Sequence, residues 1–122
     1  MKTEILIGVV GPCGAGKTTL ITGLKKYGYL VKHIAQEHSY VPYMWQRLTN
    51  PAVLIFLDAS YPVTVKRRRL NWTIEEYNQQ QNRLDHARQH ANIVINTDNL
   101  TSDEVFQRVL DFLLGQTSQT GV

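Results

Sequence analysis

The sequence predicts an α/β domain built on a small parallel sheet, and three observations carry that expectation. Short apolar runs alternate along the chain with segments of helical pattern. Two of the runs, residues 4–10 and 52–58, are almost continuously apolar, as strands become when helices cover both faces of a sheet. Thr-x-x-Glu sequences at Thr73/Glu76 and Thr101/Glu104 mark helix starts, because each Thr and Glu can satisfy the other's backbone N–H. With 122 residues, 43% hydrophobic and 19% charged, the chain suffices for one buried core and not for two. A single domain is expected over residues 1–115. Residues 116–122 carry no apolar stripe and read as a flexible tail.

Each element has its own local cause. The first strand is residues 4–10. A helix beginning near Gly16 turns Leu20, Ile21 and Leu24 toward the sheet, and Gly28 suits the left-handed position that ends it. The second strand is residues 29–35. A short helix is expected over 41–48, with Pro42 in its first turn and Asn50-Pro51 stopping it. After the strand at 52–58, Ser60 can cap a third helix that accepts Pro62 in its first turn. The fourth helix opens at Thr73. Its residues are mostly polar over 78–81 and 83–90, so it is expected to lie exposed over an opening. A strand over 92–96 leads to a fifth helix, on which Val105, Phe106, Val109, Leu110 and Leu113 form one stripe.

Composition narrows the function classes. One cysteine excludes an intramolecular disulfide framework. The longest apolar run, residues 5–10, is far short of the about 20 residues a membrane span needs, and it leads into Gly11-Pro12 with no small-residue cleavage site. A cytoplasmic protein with no membrane partner is expected. Residues 17–69 hold nine basic side chains against two acidic ones, whereas residues 70–122 hold three against seven. A positive first half suits an anionic ligand, either a nucleotide or a nucleic acid. No aromatic–basic RNA-binding motif is present, so nucleic acid ranks last.

Gly11-Pro12-Cys13-Gly14-Ala15-Gly16-Lys17-Thr18 fits the pattern G-x-x-x-x-G-K-[ST]. Glycines let successive backbone N–H groups turn inward around an anion, and the following helix adds the positive end of its dipole. Lys17 is placed to reach β- and γ-phosphates, the Thr18 hydroxyl to ligate Mg²⁺, and the Thr19 hydroxyl to meet an α-phosphate. Gly11, Cys13, Gly14, Ala15, Gly16, Lys17, Thr18 and Thr19 are therefore the expected nucleotide-binding residues.

With this motif, and with Leu57-Asp58-Ala59-Ser60 followed by the basic segment 63–69, the chain resembles the P-loop nucleoside and nucleotide kinases of adenylate-kinase type, in reduced form. The resemblance continues through the polar segment 73–90, which looks like a lid, and the strand Asn92-Ile93-Val94-Ile95-Asn96. It implies a three-layer α/β/α P-loop NTPase fold, with ATP and Mg²⁺ as cofactors and γ-phosphate transfer to an unidentified acceptor. In such kinases an arginine lies nine residues after the strand-end aspartate, which is Arg67 here. The next arginine position holds Asn71, leaving Arg68, Arg69, Arg83 or Arg88 to replace it. Residues 36–51 are too few for the family's additional strand and acceptor-binding helices. Its 2-3-1-4-5 sheet is thus expected to lose a strand and become four strands in the order 2-1-3-4.

That rearrangement places Glu37 beside the loop, where it can hold Mg²⁺ through water or act as general base. Asp58 moves to a later strand, and two roles stay open for it: metal partner, or a strand-end residue that caps a turn or pairs with an arginine. The catalytic candidates are Lys17, Arg67 and Glu37, and the metal candidates are Thr18, Glu37 and Asp58. Gln36, His38 and Ser39 are candidates for a polar acceptor pocket; Tyr40, Tyr43, Trp45 and Trp72 for stacking a base. Residues 97–100 stand where such kinases contact adenine, and no Asn-Lys-x-Asp guanine motif occurs. His86 and His90 are spaced i, i+4, a pair too small for a zinc site. Two further functions remain open: a regulatory or partner-dependent nucleotide-binding module with little turnover, and a nucleic-acid-associated P-loop protein. A homo-oligomer could supply the missing acceptor segment from a neighbouring chain.

Overall fold

A computed structural model describes residues 5–68 and 71–120. The elements run β1 (Leu6–Val10), α1 (Lys17–Lys26), β2 (Leu30–His33), a 3-10 turn (Gln36–His38), α2 (Met44–Leu48), β3 (Val53–Asp58), α3 (Tyr61–Arg68), α4 (Ile74–His90), β4 (Ile93–Asn96) and α5 (Ser102–Thr120). Among the described residues the four strands form one all-parallel sheet in the order β2-β1-β3-β4, as the shortened interval between β2 and β3 predicts. Ile7 stands level with Val31 on one side and Val53 on the other. No helix among them is long and apolar enough to cross a membrane.

The path across the sheet reverses once. From β1 the chain steps outward to β2, then returns across β1 to β3 and continues to β4. Parallel crossovers keep one hand, so a reversal of direction moves the connecting helices to the opposite face. Helices α1 and α5 accordingly pack on one face, where Leu20, Leu24, Val109 and Leu113 meet Ile7, Val9, Ile55 and Leu57. On the other face Trp45 of α2 and Leu84 and Ala87 of α4 meet Val10, Leu54 and Phe56. The period-2 alternation of β3 thus feeds two cores, and Leu54 to Leu57 are all buried. That is why the strand is apolar without interruption.

Local chemistry sets the element ends. Gly28, at φ +100°, follows α1, whose last turn carries Lys25 and Lys26 near the free carbonyls. Both expected capping boxes form, at Thr73/Glu76 and Thr101/Glu104. Helix α2 starts later than residue 41, because the Val41 carbonyl already accepts from the Gln36 side chain and the Met44 amide in a preceding turn. Asn50, left-handed at φ +45°, closes it. Helix α5 runs to Thr120, through residues expected to form a tail. No proline interrupts it there, and one internal glycine costs a helix only about 1 kcal/mol.

Helix α4 differs from a free lid. Leu84 and Ala87 are fully buried against the sheet, and only its outer side is exposed. Its polarity misleads because Gln80, Gln81 and Arg88 turn inward and bond to the protein itself. Leu84→Ala should therefore lower unfolding free energy by about 2–5 kcal/mol in urea titrations. A value near zero would mean that the helix does not pack on the sheet.

Candidate phosphate-binding site

Strand β1 ends at Val10 and the chain turns at once into the glycine loop. Gly11 has φ +153°, and a Cβ there would lie 2.0 Å from the Leu57 carbonyl oxygen of β3. Only hydrogen fits against that backbone. Gly14 and Gly16, at φ +87° and +96°, take left-handed conformations costly for other residues, and Gly16 is the N-cap of α1. The loop therefore delivers its chain directly onto a helix N-terminus, whose first amides lack intrahelical partners.

Lys17, the first residue of α1, folds back into the loop and is 7% exposed. Its ammonium donates to the Gly11 carbonyl and, at 2.6 Å, to Glu37 Oε2. Glu37 reaches this point because β2 lies beside β1, so the turn after β2 opens next to the loop. The carboxylate is buried, and its Oε1 has no hydrogen-bond partner among the described residues. The expected neighbourhood of Lys17 and Glu37 is present.

A cavity of about 640 Å³ opens over the loop. Residues 13–20 form its floor, with His33, Glu37 and His38 on one side and Arg67, Leu100, Thr101, Ser102 and Val105 on the other. Cys13, Gly14, Ala15, Gly16, Lys17, Thr18 and Thr19 all line it, and the Thr18 and Thr19 side chains are exposed. One wall is polar and titratable; Leu100 and Val105 give the other an apolar strip. His33 has its pKa lowered from the ordinary 6.5, chiefly by desolvation and then by the Lys17 charge, with Glu37 acting the other way.

Arg67 lines the cavity but is anchored. Its guanidinium donates to the Thr97 hydroxyl at 2.7 Å, to the Thr97 carbonyl, and to the Gly14 carbonyl at 3.3 Å. It ties the loop to the end of β4. Asp58 lies off the cavity, receiving Gln81 at 3.0 Å and Arg88 at 3.2 Å. It stands as the strand-end residue paired with an arginine. Arg83 stacks over Tyr40 and donates to the Glu37 carbonyl, so neither it nor Arg88 faces the cavity as a lid arginine. Arg69 and the side chain of Arg68 lie outside the described residues.

Several other candidates serve the scaffold. Gln36 is fully buried; it accepts from the Trp45 amide and donates to the Val41 and Arg83 carbonyls, joining α2 to α4. Trp45 donates to His86 Nδ1, and Trp72 packs edge-on against Tyr77. None of the four candidate aromatics lines the cavity. Conversely, sequence reasoning missed Gln80, whose Oε1 accepts from the Cys13 amide at 3.0 Å while its Nε2 donates to Cys13 Sγ. The polar run in α4 was its only signal. No known protein family matches this chain, and no curated protein matches it.

Three outcomes test this geometry. Gly11→Ala should be strongly destabilising, since the added methyl meets rigid backbone, and a thermal melt close to wild type would contradict the loop's path. Glu37→Gln should cost about 3–5 kcal/mol in chemical denaturation by leaving the buried ammonium without a counter-charge. His33 binds a proton more readily when unfolded, so its contribution is complete above pH 6.5 and declines as pH falls from there through the lower folded value. In Tm against pH, His33→Gln should be flatter than wild type over that acidic window.

Proposed function

We propose that the protein binds a nucleoside triphosphate, ATP, with Mg²⁺ through a P-loop NTPase fold, and transfers its γ-phosphate to an acceptor. What supports this most is the loop itself: Gly11 held where no Cβ fits and Gly14 and Gly16 at positive φ, leading onto a helix N-terminus around a buried lysine, beneath an open cavity. Backbone amides bind the phosphate tail without reorganising, which is the source of their effect on charge that develops during transfer. The Lys17 ammonium, shared in the free protein between Gly11 and Glu37, provides a mobile positive charge for the β- and γ-phosphate oxygens. Arg67 fixes the loop's far side and lends its charge to the cavity.

The donor set fits a hard divalent cation. Thr18 offers a hydroxyl at the cavity floor, and Glu37, which lines the same cavity, has a carboxylate oxygen without a partner among the described residues. Mg²⁺ bound there would neutralise charge on the phosphates. Asp58 is already engaged by Arg88 and does not join the set. Leu100 and Val105 supply the apolar wall for a base, next to the residues where adenine contact is expected.

One observation favours a second reading, a nucleotide-binding module with little turnover. The interval between β2 and β3 folds only into a 3-10 turn and a five-residue helix, and its most buried polar side chain, Gln36, braces the scaffold. An acceptor would then come from a partner or from a second copy of the chain.

Differential scanning fluorimetry with Mg·ATP should raise Tm by several degrees, and Lys17→Ala and Thr18→Ala should each reduce that rise relative to their own ligand-free baselines. Absence of any rise in the wild type would end the proposal. Incubation with a panel of hydroxyl and phosphate acceptors separates the two readings. Acceptor-dependent ADP supports transfer, and binding without turnover supports the module.

A further inference from the structure

Cys13 Sγ, the Glu37 carboxylate and His38 Nε2 converge at the mouth of the loop, one ligand atom from each within 4.8 Å of the others. Sγ lies 3.9 Å from Nε2, and Nε2 lies 3.8 Å from Glu37 Oε2. In a tetrahedral zinc site, bonds of about 2.3 Å to sulfur and about 2.0–2.1 Å to nitrogen or oxygen set neighbouring ligand atoms roughly 3.4–3.6 Å apart. These two separations are therefore within about half an ångström of ligating distance, and the His38 side chain is exposed.

A second observation points to a cation. The Glu37 side chain is 3% exposed; its Oε2, the oxygen 3.8 Å from His38, also accepts from Lys17, and its Oε1 has no donor among the described residues. Lys17 cancels the carboxylate's charge, so a Cys13 thiolate provides the remaining negative charge. Gln80 Nε2 donates to the Cys13 sulfur at 3.4 Å, as outer partners of metal thiolates do.

We propose that Cys13, Glu37 and His38 form a site for a thiophilic divalent cation of the zinc class, with a fourth position open to the cavity. A sulfur–imidazole–carboxylate set selects such an ion over Mg²⁺. As the metal–sulfur bond forms, the Cys13 thiol gives its proton to solvent, so binding strengthens with rising pH. Glu37 is also the residue proposed to hold Mg²⁺ with the nucleotide, so the two cations compete for it. That consequence alone rests on the nucleotide proposal.

Cobalt(II), a coloured stand-in for zinc, is titrated into the reduced 122-residue protein without nucleotide. One equivalent should produce a sulfur-to-cobalt charge-transfer band with intense visible bands of a tetrahedral site, and one equivalent of zinc should abolish them. Cys13→Ser should lose the charge-transfer band, and His38→Ala should weaken binding at least about tenfold. Neither side chain is buried, and thermal melts check that both variants are folded. Weak octahedral spectra in the wild type, or equal affinity in His38→Ala, would overturn the site. Mg·ATP, where it raises Tm in cobalt-free protein, should reduce cobalt affinity. An unchanged affinity would overturn the shared use of Glu37. If Mg·ATP does not bind at all, the nucleotide proposal fails and the cobalt bands still decide this one.

Discussion

A buried ammonium needs a counter-charge, and most of the architecture around the loop follows from how Lys17 obtains one. Its partner Glu37 comes from the turn after β2, and only a β2 placed directly beside β1 brings that turn to the loop. An intervening strand would carry the acid one strand spacing, about 4.8 Å, further away. The placement of β2 and the choice of acid are thus a single structural matter. The pair also holds the loop open around a charge instead of letting it collapse, since both groups would be costly to bury alone.

The second face of the sheet supports the same loop by other means. Helix α4 brings Gln80 to the Cys13 amide, and the Pro12 carbonyl takes the Ala15 amide, so both of these loop N–H groups are satisfied by protein. Arg67 holds Gly14 from the β4 side through Thr97. Cys13 and Gly14 are in this way fastened to elements far away in sequence. A preorganised anion cradle requires such bracing, because a glycine-rich segment left to itself has more conformational freedom to lose than any other.

Local signals made much of this legible. The glycine spacing, both capping boxes and the stop at Asn50 follow from short stretches of sequence, and the order of the four strands from what the family resemblance implies together with the length of one interval. Glu37 was readable for the same reason, since strand order alone sets its position. What remained hidden depends on distant partners. Gln36 and Gln80 are both amides in polar surroundings, yet one braces two helices and the other grips the loop, and nothing within five residues of either distinguishes them. The aromatics of residues 40–45 look suited to stacking a base, but Trp45 and Tyr43 pack on His86 and Tyr40 lies under Arg83. Cys13 and His38 meet only because β1 and β2 are neighbours.

The distribution of charge is reinterpreted by the same contacts. The surplus of basic residues in the first half suggested an electrostatic surface for an anion, whether nucleotide or nucleic acid. Yet Lys17 is neutralised by Glu37, Arg67 is bound to Thr97 and Gly14, and across the chain Arg88 is paired with Asp58 while Arg83 covers Tyr40. These cations are engaged one by one inside the molecule. Positive potential at the cavity therefore owes more to oriented backbone amides and the α1 terminus than to a cluster of side chains. Such a source is short-ranged and geometrically demanding, unlike the exposed charges of Lys25, Lys26, Lys32, Arg47 and Lys66, which lie outside the residues that line the cavity.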